Sequence, residues 1–160
     1  MVFKSRVVCG AFLAGVLSLP FAAEASDRVL LTVTVQGETV EYSLSDLEAL
    51  GSETFRTTTI WSDGEQVFTG LPLVTLLSEL GVEDGTLMAR AINDYAVEVP
   101  VSDGVENGPI LAHHRNGEPM SVRDKGPLWL VYPYDTNPEY RSEVIYSRSI
   151  WQLDRIEILP

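Results

Sequence analysis

From Val29 to the last residue the sequence is a series of short β-branched and aromatic runs cut by turn dipeptides, with one strongly helical stretch among them. That punctuation restricts the chain to a strand-rich fold of short elements. Residues 29–35 alternate, with Leu30, Thr32 and Thr34 on one face and Val29, Leu31, Val33 and Val35 on the other, the period of a strand. Gln36-Gly37-Glu38 turns the chain back, and residues 39–42 pair with the first strand as a hairpin. Ser43 or Ser45 caps a short helix through Leu47 and Leu50, and Gly51 ends it. Residues 54–61 read as a strand, Ser62-Asp63-Gly64 as a turn and residues 65–68 as a short return strand.

The helical stretch comes next. Gly70-Leu71-Pro72 opens it, with Pro72 suited to a first turn, and Leu73, Leu76, Leu77 and Leu80 share one face before Gly81 closes it. Strands then dominate, over residues 86–92, 95–101, 109–115, 128–132 and 151–159. Asn93-Asp94, Asn116-Gly117 and Lys125-Gly126 are turn signals, and short helical turns are expected near residues 102–107 and 138–146. There is no repeat, low-complexity stretch or long linker. The expected class is α+β, with strand-rich mixed sheets and few short helices, rather than alternating α/β.

The N-terminus has a different character. Lys4 and Arg6 precede an apolar run over residues 7–23, interrupted by Ser18 and Pro20 and closed by the small-x-small pattern Ala23-Glu24-Ala25. This reads as a secretory signal peptide over residues 1–25, cleaved before Ser26, leaving residues 26–160 as a single domain. The run is short and carries a proline, which argues against a spanning anchor. Cys9 lies too early to accept a lipid, and no twin-arginine pair precedes the run. The expectation is export unfolded, through a general signal, to the periplasm or beyond.

Composition narrows the partners. The chain has 23 acidic and 11 basic residues, a net charge of −12, and loss of the signal makes the remainder more acidic still. Nucleic acid and anionic membrane surfaces are poor partners for such a chain, since both are bound by neutralising phosphate. Cys9 is the only cysteine, so the domain has no disulfide, zinc thiolate or redox thiol. It is nonetheless long enough to bury one core unaided.

Five segments together resemble a known family. Thr69-Gly70-Leu71-Pro72-Leu73-Val74-Thr75-Leu76-Leu77 is similar to the "G-[VI]-P-L-x-x-L-L" helix of the molybdopterin-binding domain of sulfite oxidases and their bacterial relatives. Asn93-Asp94-Tyr95-Ala96-Val97-Glu98-Val99-Pro100 is similar to its "x-D-G-Y-x-x-x-[IV]-P" hairpin. The run from Pro109 through His113, His114, Asn116 and Gly117 to Met120 resembles "x-x-L-A-x-x-x-N-G-x-P-L". Lys125-Gly126-Pro127-Leu128-Trp129-Leu130-Val131-Tyr132-Pro133 resembles "x-G-x-P-x-R-x-V-x-P", and residues 150–158 resemble the closing strand. The matches keep the family's order from about Thr69 onward. They imply a sulfite-oxidase molybdopterin-binding-type fold, with a molybdopterin as cofactor in catalytic members.

The departures bear on activity. Catalytic members of that family hold molybdenum through a cysteine before the G-x-P-L-x-x-L-L helix. The matching residues 57–64 contain Trp61 and Ser62 but no cysteine, and a hydroxyl is a poor substitute for a soft thiolate. The family's anion-binding arginine matches Trp129, which offers one N–H donor and no fork. Lys125 falls where some relatives carry a cofactor-binding asparagine, and Arg148 where they carry a lysine near the pterin phosphate. The absent twin-arginine signal agrees, because cofactor-loaded relatives resemble cargo exported folded.

Candidate cofactor- or ligand-binding residues are therefore Trp61, Ser62, Asp94, His113, Lys125, Trp129, Tyr132 and Arg148. Trp61, Trp129, Tyr132, Tyr134, Tyr146 and Trp151 can line a pocket for a flat ligand; singly, each also suits a core. Trp129 and Tyr132 are expected near the mouth of the site. His113 and His114 are the only histidines and can ligate a metal or haem, but neighbours on a strand face opposite ways, so both cannot enter one pocket. Of the basic groups, Arg123 and Arg141 read as surface ion pairs, while Lys125 and Arg148 can meet an anion. No residue pair reads as a general acid and base. The sequence thus favours a non-catalytic module that binds a small molecule or a membrane-bound signalling or redox protein. The competing reading is an oxidoreductase holding a molybdopterin or another redox cofactor such as haem.

Overall fold

The computed structural model describes residues 28–160. The expected signal segment, with Cys9, lies outside the described residues. Strand β1 (Val29–Val35) and β2 (Glu38–Ser43) form the first hairpin. Gln36 and Gly37 both take positive φ, 52° and 86°, the backbone a two-residue turn needs to match strand twist. Helix α1 (Leu44–Leu50) starts at Ser43, which settles the choice between the two serines. The Ser43 hydroxyl accepts from the Asp46 N–H at 3.2 Å, and the Asp46 carboxylate accepts from the Ser43 N–H at 2.8 Å. This reciprocal pair is a capping box.

β3 (Glu53–Thr59) and β4 (Ser62–Pro72) form a long second hairpin. Its turn is Ile60-Trp61, not the expected Ser62-Asp63-Gly64. The register slips between Thr58 and Thr59, and Gly64 sits at φ 69°. The turn-forming triplet therefore makes a bulge inside β4, while Trp61 anchors the turn on aromatic neighbours. The return strand consequently runs 11 residues. Helix α2 (Leu73–Glu79) follows with Pro72 as its N-cap, and buries Leu73, Leu76 and Leu77. It ends as the pattern suggests: Gly81 has φ 67°, its N–H reaches the Ser78 carbonyl, and the Val82 N–H reaches that of Leu77. Those two bonds make a Schellman cap.

The remaining strands are β5 (Thr86–Ala91), β6 (Ala96–Pro100), β7 (Ile110–Arg115), β8 (Glu118–Pro119), β9 (Trp129–Val131) and β10 (Leu153–Leu159). Single 3-10 turns occupy Val101–Asp103, Val122–Asp124 and Pro138–Tyr140, and helix α3 spans Glu143–Arg148. One sheet runs β2-β1-β10-β5-β6, with β1 parallel to β10 and its other pairs antiparallel. The second runs β3-β4-β7-β8, with β9 beside β8 on the same edge of β7. Apolar residues of both sheets and of all three helices form one buried cluster. Among the described residues, no helix is long and apolar enough to cross a membrane.

One irregularity positions side chains. Between β4 and β7 the register passes from Thr69 opposite His114 to Gly70 opposite Ala112, leaving His113 as an extra residue. A Cβ on Gly70 would meet the Leu111 carbonyl oxygen at 2.1 Å and the Ala112 Cα at 2.5 Å. The bulge thus depends on a glycine that lets the two backbones close in.

Candidate functional site

The β3–β4 turn and the segment around α3 bring aromatic rings together. Trp61 lies 5.7 Å from Trp129, 5.7 Å from Tyr146, 5.5 Å from Trp151 and 6.3 Å from Tyr134, centroid to centroid, each edge to face. Such edge-on contacts suit ring quadrupoles. A cleft of about 420 Å³ opens beside them, walled by Trp61, Tyr146 and Trp151 and closed by Asn93, Tyr95 and Gln152. Ser147, Ser149, Ile150 and Ala91 complete the lining, which carries no charged side chain among the described residues. At its edge, Lys125 Nζ stands 4.4 Å from the Trp151 ring centroid and 5.7 Å from that of Trp129, within cation–π range.

Of the residues singled out in the sequence, Trp61, Tyr146 and Trp151 line the cleft and Lys125 borders it. The others have different places. Trp129 and Tyr132, expected at the mouth, are both fully buried. Trp129 backs Trp61 and donates from Nε1 to the Ser149 carbonyl at 3.2 Å. The reason is sheet geometry: Trp129 pairs with Ala112 across β9–β7, so its side chain shares the packed face with Phe68, 5.3 Å away. Tyr132 donates its hydroxyl to Asp103 at 2.7 Å. Burial, and then this bond to Asp103, pushes the phenol far above its ordinary value. Arg148 reaches the same carboxylate, at 2.9 and 3.1 Å. Its charge is therefore committed to Asp103 rather than presented to the cleft.

Ser62 pairs its hydroxyl with that of Thr59 at 2.7 Å and lies outside the lining. Asp94 points to Arg155 at 2.8 Å with its side chain largely exposed, while its neighbours Asn93 and Tyr95 reach the cleft. Asp94 takes φ 65° in the turn between β5 and β6. Arg141, expected in an ion pair, meets Asp135 at 3.1 Å and the Tyr134 carbonyl at 3.0 Å. Asp135 also accepts from the Thr58 N–H and hydroxyl, at 2.6 and 2.8 Å. These bonds fasten the segment after β9 to β3, a role that no motif in the sequence signals.

The histidines overturn the opposite-faces expectation. His113 Nδ1 and His114 Nδ1 are 2.5 Å apart, with the rings edge to face. Strict alternation fails because His113 is the bulge residue, and a bulge re-aims the side chain it displaces. His113 is 3% exposed, and its Nε2 is buried with no hydrogen-bond partner among the described residues. Burial first, then His114, lowers its pKa, with Glu48 acting in the opposite sense. Neither histidine lines the cleft.

No curated protein matches the sequence. Among solved structures, the fold is similar to the crystal structure of the sulfane dehydrogenase SoxCD from Paracoccus pantotrophus. The TM-score is 0.60 at 19% identity, covering 80% of this chain and 37% of that one. The chain therefore spans well under half the length of this neighbour, and the likeness is one of fold. At the level of sequence, the family model described as "Oxidoreductase molybdopterin binding domain" matches residues 18–136, and the chain belongs to that family.

Proposed function

We propose that this domain is an exported binding module, in which the family's fold carries an aromatic cleft for a flat small molecule and no molybdenum centre. The observation that carries the reading is the lining of the cleft. Aromatic side chains and uncharged amide and hydroxyl groups line a half-open cleft of about 420 Å³, a volume within the range of roughly 300–1,000 Å³ typical of small-molecule sites. Faces of Trp and Tyr take a flat ring, and the neighbouring amides and hydroxyls select its edge.

The donor set does not fit a molybdopterin. Molybdenum in this family is held by a thiolate, and the only cysteine lies at position 9, far from the segment that should supply it. The residue matched to the anion-binding arginine is Trp129, buried and bonded to Ser149. Arg148 is neutralised by Asp103, and Arg155, which reaches the Ala91 carbonyl, by Asp94 and Asp154, which leaves Lys125 at the cleft edge. One ammonium is a weak recognition set for a phosphate that relatives meet with several donors. Haem ligation gains no support either, since both histidines lie outside the cleft lining.

The test is a tryptophan-fluorescence titration with pterin, flavin and purine nucleosides as flat probes. Saturable quenching by at least one is expected, with loss of saturation in Trp61→Ala and Trp151→Ala. Absence of saturable quenching by the whole set would count against the reading. Export is tested separately by fractionation, the expected outcome being a processed chain in the periplasm.

A further inference from the structure

A second site lies away from the cleft, where the β7 bulge faces α1. Glu48, His113 and His114 each offer a ligand atom, and these atoms all lie within 4.8 Å of one another. None of the three lines the aromatic cleft. The register puts His114 opposite Thr69, on the other face of the sheet from Trp129 and Ala112.

The imidazole pair is unusual in two respects. Its nitrogens stand 2.5 Å apart, inside the roughly 2.7–3.2 Å of ordinary hydrogen bonds to nitrogen donors. Two ring lone pairs facing at that distance repel unless a proton or a cation lies between them. The arrangement also leaves His113 Nε2 buried without a partner, and native structures rarely leave a buried polar atom so. The bulge that turns the rings is set by Gly70, which lies opposite Ala112, and bulges often serve to aim side chains at functional sites.

We infer that Glu48, His113 and His114 bind one divalent transition-metal ion of the zinc class. Two imidazoles and a carboxylate are the donor types that borderline ions prefer, and three protein ligands leave a position for water. A tetrahedral ion with bonds of about 2.0–2.2 Å spaces its donors more widely than 2.5 Å and more closely than 4.8 Å. The histidine rings therefore part slightly and Glu48, exposed on α1, swings in. The ion ties α1 to β7.

The experiment uses untagged protein carrying residues 26–160, stripped with a chelator and titrated with zinc at pH 7.5. The expected result is one zinc per chain and a rise in Tm on binding. Glu48→Gln and His114→Ala, at positions that are not fully buried, should each weaken binding at least about tenfold, the scale on which even outer-sphere partners act. Both should quench with the flat probes as the parent does, so failure of this site is distinguishable from failure of the cleft. Absence of a Tm rise in the parent, or zinc binding unaltered in both variants, would overturn the assignment.

Discussion

Asp103 holds two side chains at once, the Tyr132 hydroxyl and the Arg148 guanidinium. Removing one partner of a buried set is costlier than trimming its edge. Tyr132→Phe should cost about 1 kcal/mol in urea unfolding, because the carboxylate keeps Arg148. Asp103→Ala should cost more, about 2–3 kcal/mol, because it leaves a fully buried phenol without an acceptor. Asp135 behaves differently, being a clamp at the surface. Its carboxyl is held below the ordinary 3.8 chiefly by the Thr58 N–H, then by the Thr58 hydroxyl, Arg141 and Thr57, against a partial opposition from burial. A depressed folded value stabilises fully above 3.8 and loses that contribution as pH falls through the folded value. Stability measured across the acid range should therefore fall less steeply in Asp135→Asn than in the parent. At this scale the sequence marked the right residue types and the wrong surroundings. Trp61 and Lys125 reach the cleft as their chemistry suggests, but nothing local tells a strand tryptophan such as Trp129 whether its face is cleft or core. Asp103 reads locally as a turn carboxylate bonded to nearby backbone, whereas its side-chain partners are 29 and 45 residues away.

Secondary-structure elements were more legible, and for stated reasons. The α1 cap, the Gly81 stop and the Gln36-Gly37 turn each rest on interactions within a few residues, which sequence patterns encode directly. The β3–β4 turn is displaced because Trp61 at the tip packs edge-on against Trp129, Tyr134, Tyr146 and Trp151, which outweighs the turn preference of Ser62-Asp63-Gly64. The β7 bulge escaped for the same kind of reason. It arises between strands about 40 residues apart, and alternation along β7 alone predicts the opposite geometry for His113 and His114. Gly70 is its hinge. Gly70→Ala should destabilise the domain by about 1–3 kcal/mol, as overpacking against fixed backbone does, with the loss read from a lowered urea midpoint. The same variant should alter the histidine NMR resonances, since β7 must shift to admit the methyl.

At the scale of the whole molecule, two sheets share one core, and the last strand β10 lies inside the first sheet, between β1 and β5. The α+β class and the family's order of segments were visible in the sequence, because short alternating runs and the G-L-P-L-x-x-L-L helix survive as local pattern. The fold is that of the oxidoreductase molybdopterin-binding family, and a shared fold leaves the chemistry to the site. Here the cleft presents aromatic walls without a charged lining group, and Lys125 at its edge lies over tryptophan rings. The most direct measurement is the molybdenum and pterin content of protein purified from cells grown with ample molybdate. The proposal predicts molybdenum far below one atom per chain and no pterin fluorescence after oxidation. One molybdenum per chain, with a matching pterin signal, would contradict it.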